Sequence, residues 1–296
     1  MKSHVMLMAL AACLCLDAVE PTSRDEAFTL ATFNIRRPMD KGENAWTNRL
    51  PRILKIIADR RFDLIGIQEA MPEQVRDLAE RLPGWEHVGV GRCPNDRDEA
   101  TCIFFRADRF ALCASGTFWL SETPDVPGSK SWKSAWPRIC TWAQFRDKRT
   151  GLTFRHYNTH LDHKSKLARF KGVKLILERI QALPKDEAVF LTGDFNAVSP
   201  SAGQADAQDP IPLVLSVLVD AKTVSATPHQ GSANTVHGYR VKPRRGDGCI
   251  DYVFVSPNVR VLSHATCNDR PEGKFASDHD PVAIRVERVE KGVPSA

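Results

Sequence analysis

Acids and amides follow short apolar runs at several places in this sequence. Residues 188–191 are apolar and lead through Thr192 into Gly193-Asp194-Phe195-Asn196, and residues 62–68 lead in the same way to Glu69. A short apolar run that ends at a glycine or a polar residue is typical of a buried strand. Open α/β sheets bind their ligands beyond the carboxyl ends of the strands. Acids at those ends are therefore candidates for chemistry.

Together, such residues would form a site for a divalent cation. The candidates are Glu69, His160, Asp194, Asp251, Asp278 and His279. Four carboxylates grouped without a cation would have raised pKa values and would cost stability. Oxygen ligands without a Cys/His set favour Mg²⁺ or Mn²⁺, and histidines beside them can transfer protons or contact phosphate near neutral pH. A lone acid of this kind usually only holds a turn, so the prediction depends on the shared position.

Two strand–helix–strand units of matched length would position these residues. Each has a strand, a helix with apolar residues at helical spacing and a second strand, over residues 28–69 and 152–194. Asn34 precedes Glu69 by 35 positions, and His160 precedes Asp194 by 34. The sequence therefore predicts an α/β sandwich of two sheets with pseudo-duplicated halves and one shared site. No linker separates the halves, so we predict one catalytic domain over residues 27–288.

The remaining elements are weaker in pattern. A second helix is expected from Pro72 and another over residues 211–219. Strands are expected over residues 86–90, 101–106, 110–120, 138–145, 249–255, 259–265 and 282–286.

The two ends of the chain stand apart from this pattern. Residues 1–20 hold Lys2 and an apolar run too short to span a bilayer, which is typical of an export signal. A lipoprotein signal that ends at Cys13, with a lipid anchor there, is an equal alternative. Residues 21–26 are a linker and residues 289–296 a tail. We predict a protein without a transmembrane helix that is secreted, periplasmic or lipid-anchored at the cell envelope.

Eight cysteines are present and none forms a C-x-x-C pair, so a zinc ribbon or a thioredoxin-type motif is unsupported. Cys93 and Cys102 bracket a polar loop, and a disulfide across it is one option in an oxidising compartment. The formal net charge of +5 only weakly favours a polyanionic partner.

Six short motifs in order resemble those of the endonuclease/exonuclease/phosphatase superfamily. They are Thr32-Phe33-Asn34, Ile67-Gln68-Glu69, Asn158-Thr159-His160, Gly193-Asp194-Phe195-Asn196, Ile250-Asp251-Tyr252-Val253-Phe254 and Ser277-Asp278-His279-Asp280-Pro281. Each is weak alone, but their order and their placement at strand ends make the resemblance specific. It implies the DNase I-like fold, a four-layer α-β-β-α sandwich of two mixed sheets, and a hydrolase of phosphate esters.

The resemblance also implies a role for each motif residue. Asn34, Glu69 and Asp278 would hold Mg²⁺ or Mn²⁺. His279 would act as general base or polarise the phosphate, oriented by Asp251. In the same way, Asp194 would position or deprotonate the attacking water, and Asn196 and His160 would hydrogen-bond phosphoryl oxygens. Whether His279 or Asp194 activates water stays open at this point.

Further residues are candidates for substrate binding. Arg138 could clamp a phosphate or form a strand-edge salt bridge, and His237 lies in a polar loop near the last motifs. Tryptophans interleaved with lysines could stack bases, or could simply pack their loop: Trp119, Lys130, Trp132, Lys133 and Trp136. The basic run over residues 240–245 could reach a second phosphate or stay solvated.

Nucleic acid is the first substrate that we predict, from the basic balance and the tryptophan loop, with the chain acting as a monomer. A phosphomonoesterase or a phospholipid headgroup phosphodiesterase is an alternative enzyme, and a non-catalytic binding module is an alternative of another class. Residues 118–124 and 159–163 look closer to a bacterial branch that groups loosely with nocturnin-like and sphingomyelinase-like members. The active-site tyrosine and DNA-inserting loops of abasic-site endonucleases have no counterpart, which argues against DNA repair.

Overall fold

Two mixed β-sheets pack face to face, and helices cover their outer sides. The structure is a computed structural model that describes residues 26–95, 97–200, 206–242, 244 and 248–289. Its helices and strands are, in chain order, β1 (Phe28–Asn34), α1 (Trp46–Asp59), β2 (Leu64–Gln68), α2 (Pro72–Arg81), β3 (Trp85–Val88), β4 (Gly91–Cys93), β5 (Arg97–Ala100), β6 (Ile103–Arg106), β7 (Phe110–Trp119), β8 (Ile139–Asp147), β9 (Thr153–His160), α3 (Lys166–Gln181), β10 (Ala188–Asp194), α4 (Pro210–Leu215), β11 (Val219–Asp220), β12 (Gln230–Gly231), β13 (Asp251–Val255), β14 (Val259–Thr266) and β15 (Val282–Val289).

One sheet has the strand order β12-β14-β15-β1-β2-β6-β3 and the other β11-β13-β10-β9-β8-β7, while β4 and β5 form a separate hairpin. Side chains alternate along the strands and so build three apolar layers. Phe28 of β1 and Phe190 of β10 meet between the sheets. Phe33 of β1 packs on the α1 and α2 side, and Leu191 of β10 on the α3 and α4 side. The predicted four-layer α-β-β-α sandwich is confirmed.

The two predicted strand–helix–strand units form parallel strand pairs. In the first, β1 and β2 run parallel with Asn34 opposite Gln68, and in the second β9 and β10 run parallel with His160 opposite Asp194. Antiparallel β13 begins with Asp251 opposite Asp194. Parallel neighbours end at the same edge, so both units deliver their polar residues to one end of the sandwich.

The β4–β5 hairpin was not predicted. Its residues are mostly polar and lack the alternation that marks a strand, because ion pairs rather than apolar contacts hold it. The Arg92 guanidinium bonds the carboxylates of both Asp98 and Glu99, with its Nη1 2.8 Å from Glu99 Oε2. Helix α4 is also shorter than expected, since β11 takes Val219 into the second sheet.

The disulfide considered across the 93–102 loop does not form, and Cys93 and Cys102 are both in the thiol state. Cys93 Sγ lies 3.6 Å from the Asp98 carboxylate, and Cys102 is buried in the core of the first sheet. Burial also raises the pKa of Cys249 and Cys267 to about 12, which keeps these thiols protonated and unreactive.

The predicted export signal, the Cys13 anchor and most of the linker lie outside the described residues, as do Arg245 and most of the tail. Within the described part of the chain, none of the helices has both the length and the apolar character needed to span a bilayer.

Candidate active site

Asp194 lies at the centre of the site, at the end of β10 and only 2% exposed. Its Oδ1 accepts the Asn196 N–H at 2.9 Å, and its Oδ2 accepts the Asn34 amide at 3.0 Å. The same Oδ2 lies 3.5 Å from His160 Nε2 and 4.0 Å from His279 Nε2. One carboxylate thus joins residues from four of the six motifs.

The strand approaches its neighbour closely just before this acid. A Cβ at position 193 would overlap the Thr159 carbonyl of β9, and Gly193 has a φ of 153°. Only glycine fits there, which explains the Gly-Asp order at the end of β10.

The surroundings of Asp194 place its titration near neutrality. Burial and the neighbouring Asp251 raise its pKa to about 7, while His279 and two hydrogen bonds oppose the shift. An acid with such a pKa can both take and return a proton at physiological pH.

His279 and Asp251 form a buried pair beside Asp194. His279 Nδ1 lies 2.9 Å from Asp251 Oδ2, so the other ring nitrogen, Nε2, faces Asp194. Burial alone would lower the pKa of His279, but Asp251, Asp194 and Asp278 together raise it well above its usual range. The imidazole is therefore a cation that can donate a hydrogen bond from Nε2.

On the other side of Asp194, the Asn34 amide donates to Glu69 Oε1 at 3.2 Å. Glu69 Oε2 accepts the Arg37 N–H, also at 3.2 Å. Burial would raise the pKa of Glu69, but His279 and these two donors lower it. Arg36 lies 3.5 Å from Asp278 Oδ2, so a cation from the loop after β1 partly balances this acidic group.

The donor set fits a hard divalent cation. Glu69, Asp194, Asp251 and Asp278 supply carboxylate oxygens and Asn34 an amide oxygen, the ligands that Mg²⁺ and Mn²⁺ prefer. Asp251 Oδ1 is buried and has no hydrogen-bond partner. Ligand atoms of Asp194, Asp251 and His279 lie within 4.8 Å of one another, which is close enough to share an ion. Asp251 and His279 already share a 2.9 Å hydrogen bond, and Glu69 and Asn34 share one of 3.2 Å, so an ion bound by either group would replace some of these contacts.

We expect Glu69→Gln to weaken Mn²⁺ binding at least tenfold, because it removes a charged oxygen donor while keeping the side-chain shape. Metal that binds the folded state raises the melting temperature. A Mn²⁺ concentration near the Kd of the wild type should therefore raise the Tm of the wild type but hardly that of Glu69→Gln. The control is Glu187→Gln, which lies at the opposite end of β10 and pairs with Arg155. An equal Tm rise in Glu69→Gln would rule out Glu69 as a ligand.

His160 and Asn196 lie together against Asp194. Burial, with Arg138 and Arg92 nearby, lowers the pKa of His160 well below its usual range, so its ring is neutral. The Asn196 amide donates to Leu161 O and to His160 Nε2, both at 3.0 Å. Both amide hydrogens are thus engaged, and a phosphoryl oxygen bound by Asn196 Nδ2 would replace one of these contacts.

Arg138 is 6% exposed, and both alternatives considered for it have support. Its Nε lies 3.6 Å from Asp162 Oδ2, an ion pair beyond hydrogen-bond length, and has no hydrogen-bond partner. Its Nη2 lies 3.1 Å from His163 Nδ1. Arg138 also lines a small cleft together with Glu69 and His160. Its guanidinium therefore remains a candidate to bind an anion beside Asp194.

His237 lies against the 277–281 loop, and its ring is engaged within the protein. Nδ1 accepts the Tyr239 N–H at 3.1 Å, and Nε2 lies 3.3 Å from Asp280 Oδ1. Its backbone N–H donates to the Asp278 carbonyl. The structure thus gives this ring a structural role, and substrate contact would require a change of these partners.

The tryptophans of the 119–138 segment differ in their surroundings. Trp119 is buried and donates its indole N–H to the Arg92 carbonyl at 2.6 Å, so it packs the loop. Trp132 is half-buried, and Trp136 is 49% exposed.

Several residues near the site were not singled out from the sequence: Arg36, Arg37, Arg92, Glu99 and Asp162. Arg36 and Arg37 follow the first motif directly, a position that could have revealed them. Glu99 accepts hydrogen bonds from Arg37 and Arg92 in the cleft, and no periodic pattern marks its hairpin.

The model of the endonuclease/exonuclease/phosphatase family matches residues 31–279 of the chain. A family member from Bacteroides vulgatus is 34% identical, with a TM-score of 0.81 over 89% of this chain and 99% of that one. A mannosyl-6-phosphatase from Bacteroides thetaiotaomicron VPI-5482 is 33% identical, with a TM-score of 0.77 over 88% and 99%. The human Nocturnin catalytic domain, 20% identical with a TM-score of 0.66 over 90% and 95%, shares the fold. No curated protein matches the chain.

Proposed function

Because the chain belongs to the endonuclease/exonuclease/phosphatase family and is a hydrolase of phosphate esters, we propose that its substrate is the phosphomonoester of a sugar. The observation that carries this proposal is the buried Arg138 guanidinium, whose Nε has no hydrogen-bond partner and which lines a small cleft together with His160 and Glu69. A terminal phosphate carries two negative charges and three free oxygens, which suit a buried guanidinium with an unused N–H group. The similarity to a mannosyl-6-phosphatase supports a sugar as the alcohol part.

The residues divide the hydrolysis between them. Asp194, whose pKa is about 7, takes the proton of the attacking water. His279, held by Asp251, donates from Nε2 to a phosphoryl oxygen, and Arg138 adds positive charge where the transition state becomes more negative. Water attacks phosphorus, the bond from phosphorus to the sugar oxygen breaks, and that oxygen takes a proton from solvent and leaves as the alcohol, while Asp194 returns its proton to solvent.

The family generally uses a divalent metal, and Glu69, Asn34 and Asp278 would hold it. Such an ion would supply positive charge at the phosphoryl oxygens. Asn34 links this group to the proton acceptor, because its amide bonds both Glu69 and Asp194.

A nuclease is the second candidate. The observations in its favour are the net charge of +5 and the exposed indole of Trp136 at the edge of the site, which could stack a base. The alternative of a non-catalytic binding module is not supported, since the family shows that the chain is an enzyme. We further propose that the protein acts outside the cytoplasm, on the basis of the sequence of residues 1–20.

A substrate panel with and without EDTA tests the proposal. It contains mannose 6-phosphate, glucose 6-phosphate, glycerol phosphate, bis-(p-nitrophenyl) phosphate, single-stranded RNA and duplex DNA. We expect the hexose phosphates to have kcat/KM values at least about 100-fold above that of the diester, and EDTA to abolish turnover. Asp194→Asn protein purified in parallel controls for contaminating phosphatases. Cleavage of RNA or DNA without release of phosphate from the hexose phosphates would favour the nuclease instead.

A further inference from the structure

Trp136 presents one aromatic face at the edge of the catalytic cleft. Its side chain is 49% exposed, although Pro137 and Arg138, the next two residues, line the cleft. Aromatic rings with an apolar face and a polar edge are common contact points for ligands.

The backbone around Trp136 is held rigidly to the site. Ser134 Oγ lies 2.6 Å from the Trp136 carbonyl oxygen and 3.1 Å from Asp162 Oδ2, so its single O–H is shared between two acceptors. The Ala135 N–H also donates to Asp162 Oδ2, at 2.9 Å. Asp162 follows His160 by two residues and is itself buried. The position of the indole relative to the reacting centre is therefore fixed before any ligand binds.

The indole is also held by a cation. The Arg92 guanidinium carbon lies 5.3 Å from the centre of the Trp136 ring, within the range of a cation–π contact. Arg92 is buried, and its charge is balanced by Asp98 and Glu99. The two ion pairs hold the Arg92 guanidinium in place, and its cation–π contact favours this orientation of the Trp136 ring.

Glu99 brings hydrogen-bond acceptors into the same cleft. Its Oε1 accepts from Arg37 and its Oε2 from Arg92, and it lines the cleft with Glu69 and Arg138. Each carboxylate oxygen has a second lone pair that can accept from a hydroxyl group. A flat apolar face beside fixed acceptors matches a pyranose ring, which has C–H groups on its faces and hydroxyls around its edge.

We propose that Trp136, Arg92 and Glu99 form a subsite for the hexose ring of the substrate, with the ring packed on the indole and its hydroxyls bonded to Glu99. This inference rests on the proposed sugar phosphomonoesterase function and adds to it the residues that select the alcohol part. A subsite of this kind affects binding of the ring and leaves binding of the phosphate to the other residues of the site.

The test compares two ligands on the full chain in buffer with Mg²⁺. Asp194→Asn protein, with or without Trp136→Ala, is titrated calorimetrically with mannose 6-phosphate and with inorganic phosphate. We expect Trp136→Ala to weaken mannose 6-phosphate binding roughly tenfold more than phosphate binding, since phosphate lacks the ring. Trp136→Phe keeps a flat apolar face and should restore part of the loss. Equal losses for both ligands, or no loss for either, would overturn the proposal.

A matched control lies on β8. Trp142 is also stacked by an arginine, with the Arg155 guanidinium carbon 5.2 Å from its ring, but it packs on the side of α3. Trp142→Ala should change the affinities for the two ligands by the same factor. A loss specific to mannose 6-phosphate in Trp142→Ala would show a general effect of tryptophan removal, against the subsite.

Two different measurements test the sugar subsite and the proposed function. The sugar subsite stands or falls on the binding comparison, and the phosphomonoesterase on phosphate release by the wild type. Uridine and adenosine monophosphates form a further arm: if Trp136→Ala weakens their binding but not that of mannose 6-phosphate, the platform stacks bases and the sugar subsite is wrong.

Discussion

Asp194→Asn is expected to lower kcat at least about 1,000-fold, the largest single effect that we predict. Asparagine keeps the shape of the side chain but cannot take a proton from water. Its amide nitrogen would also have to avoid the Asn34 amide, which donates to Asp194 Oδ2 at 3.0 Å. The measurement is single-substrate kinetics by phosphate release, with folding checked by circular dichroism.

Asp63→Asn is the matched control for Asp194→Asn. Asp63 is another buried acid whose pKa is raised by burial, but it precedes β2 at the opposite end of the sheet and accepts the Thr29 N–H. We expect a loss of stability and a kcat within about twofold of the wild type, since Asp63 is remote from the reacting groups. If chelator-sensitive turnover survives in Asp194→Asn, the mechanism proposed here is wrong.

Stability should respond to Asp194→Asn in the opposite direction to activity. The folded-state pKa of about 7 lies above the unfolded value of 3.8. The free energy of unfolding of the wild type therefore falls as the pH rises from about 4 to 7. The destabilisation caused by Asp194 is largest above pH 7. In metal-free buffer at pH 8, Asp194→Asn should have the higher free energy of unfolding. Below pH 4 the difference should disappear. Urea titrations at the two pH values measure both.

Asp251→Asn is expected to lower kcat about 1,000-fold with a smaller change in KM. Asp251 fixes the ring of His279 through the 2.9 Å bond to Nδ1, and Asp251 also stabilises the imidazolium. Replacing the acid of an Asp–His pair by an amide removes that charge and permits the wrong tautomer, which in other hydrolases costs even more. Steady-state kinetics with mannose 6-phosphate provide kcat and KM separately.

A second Asp–His pair in the same region serves as the control for Asp251→Asn. Asp280 bonds His237 at 3.3 Å and also pairs with Arg270. Asp280→Asn should disturb the 277–281 loop but leave the Asp251–His279 pair in place, so kcat should fall less than about tenfold. Equal losses in the two variants would show that loop damage, and not the orientation of His279, explains the effect of Asp251→Asn.

The fold buries the reacting groups of the site. Asp194, Asp251 and His279 are all buried, and His279 is a cation beside Asp194, whose pKa is about 7. Burying these charged groups together lowers the stability of the fold. The enzyme needs this arrangement because burial and Asp251 raise the pKa of Asp194 to about 7. Activity and stability should accordingly change in opposite directions in Asp194→Asn.

The sequence by itself determined the fold class and the edge at which the site lies. The apolar runs end at Asn34, Glu69, His160 and Asp194. A helical pattern lies between the two runs of each pair, which predicts two strand–helix–strand units with parallel strands. Neighbouring parallel strands end at the same edge, so Asn34 was expected beside Glu69 and His160 beside Asp194. Local pattern and chain order were sufficient for this, because both depend on neighbours a few positions apart.

Tertiary structure alone decided what each residue touches. The bond from Asn34 to Asp194 spans 160 positions, and the pKa of about 7 arises from burial together with Asp251. Arg92, Glu99 and Trp136 lie in segments without periodicity, so only folding shows that they converge on the cleft. His237 was a candidate for substrate binding, but its ring contacts Asp280 of the last motif. Strand ends can be predicted from a sequence because they depend on local residue spacing. Distances and charges across the site depend on how the two sheets pack, and this packing involves the whole chain.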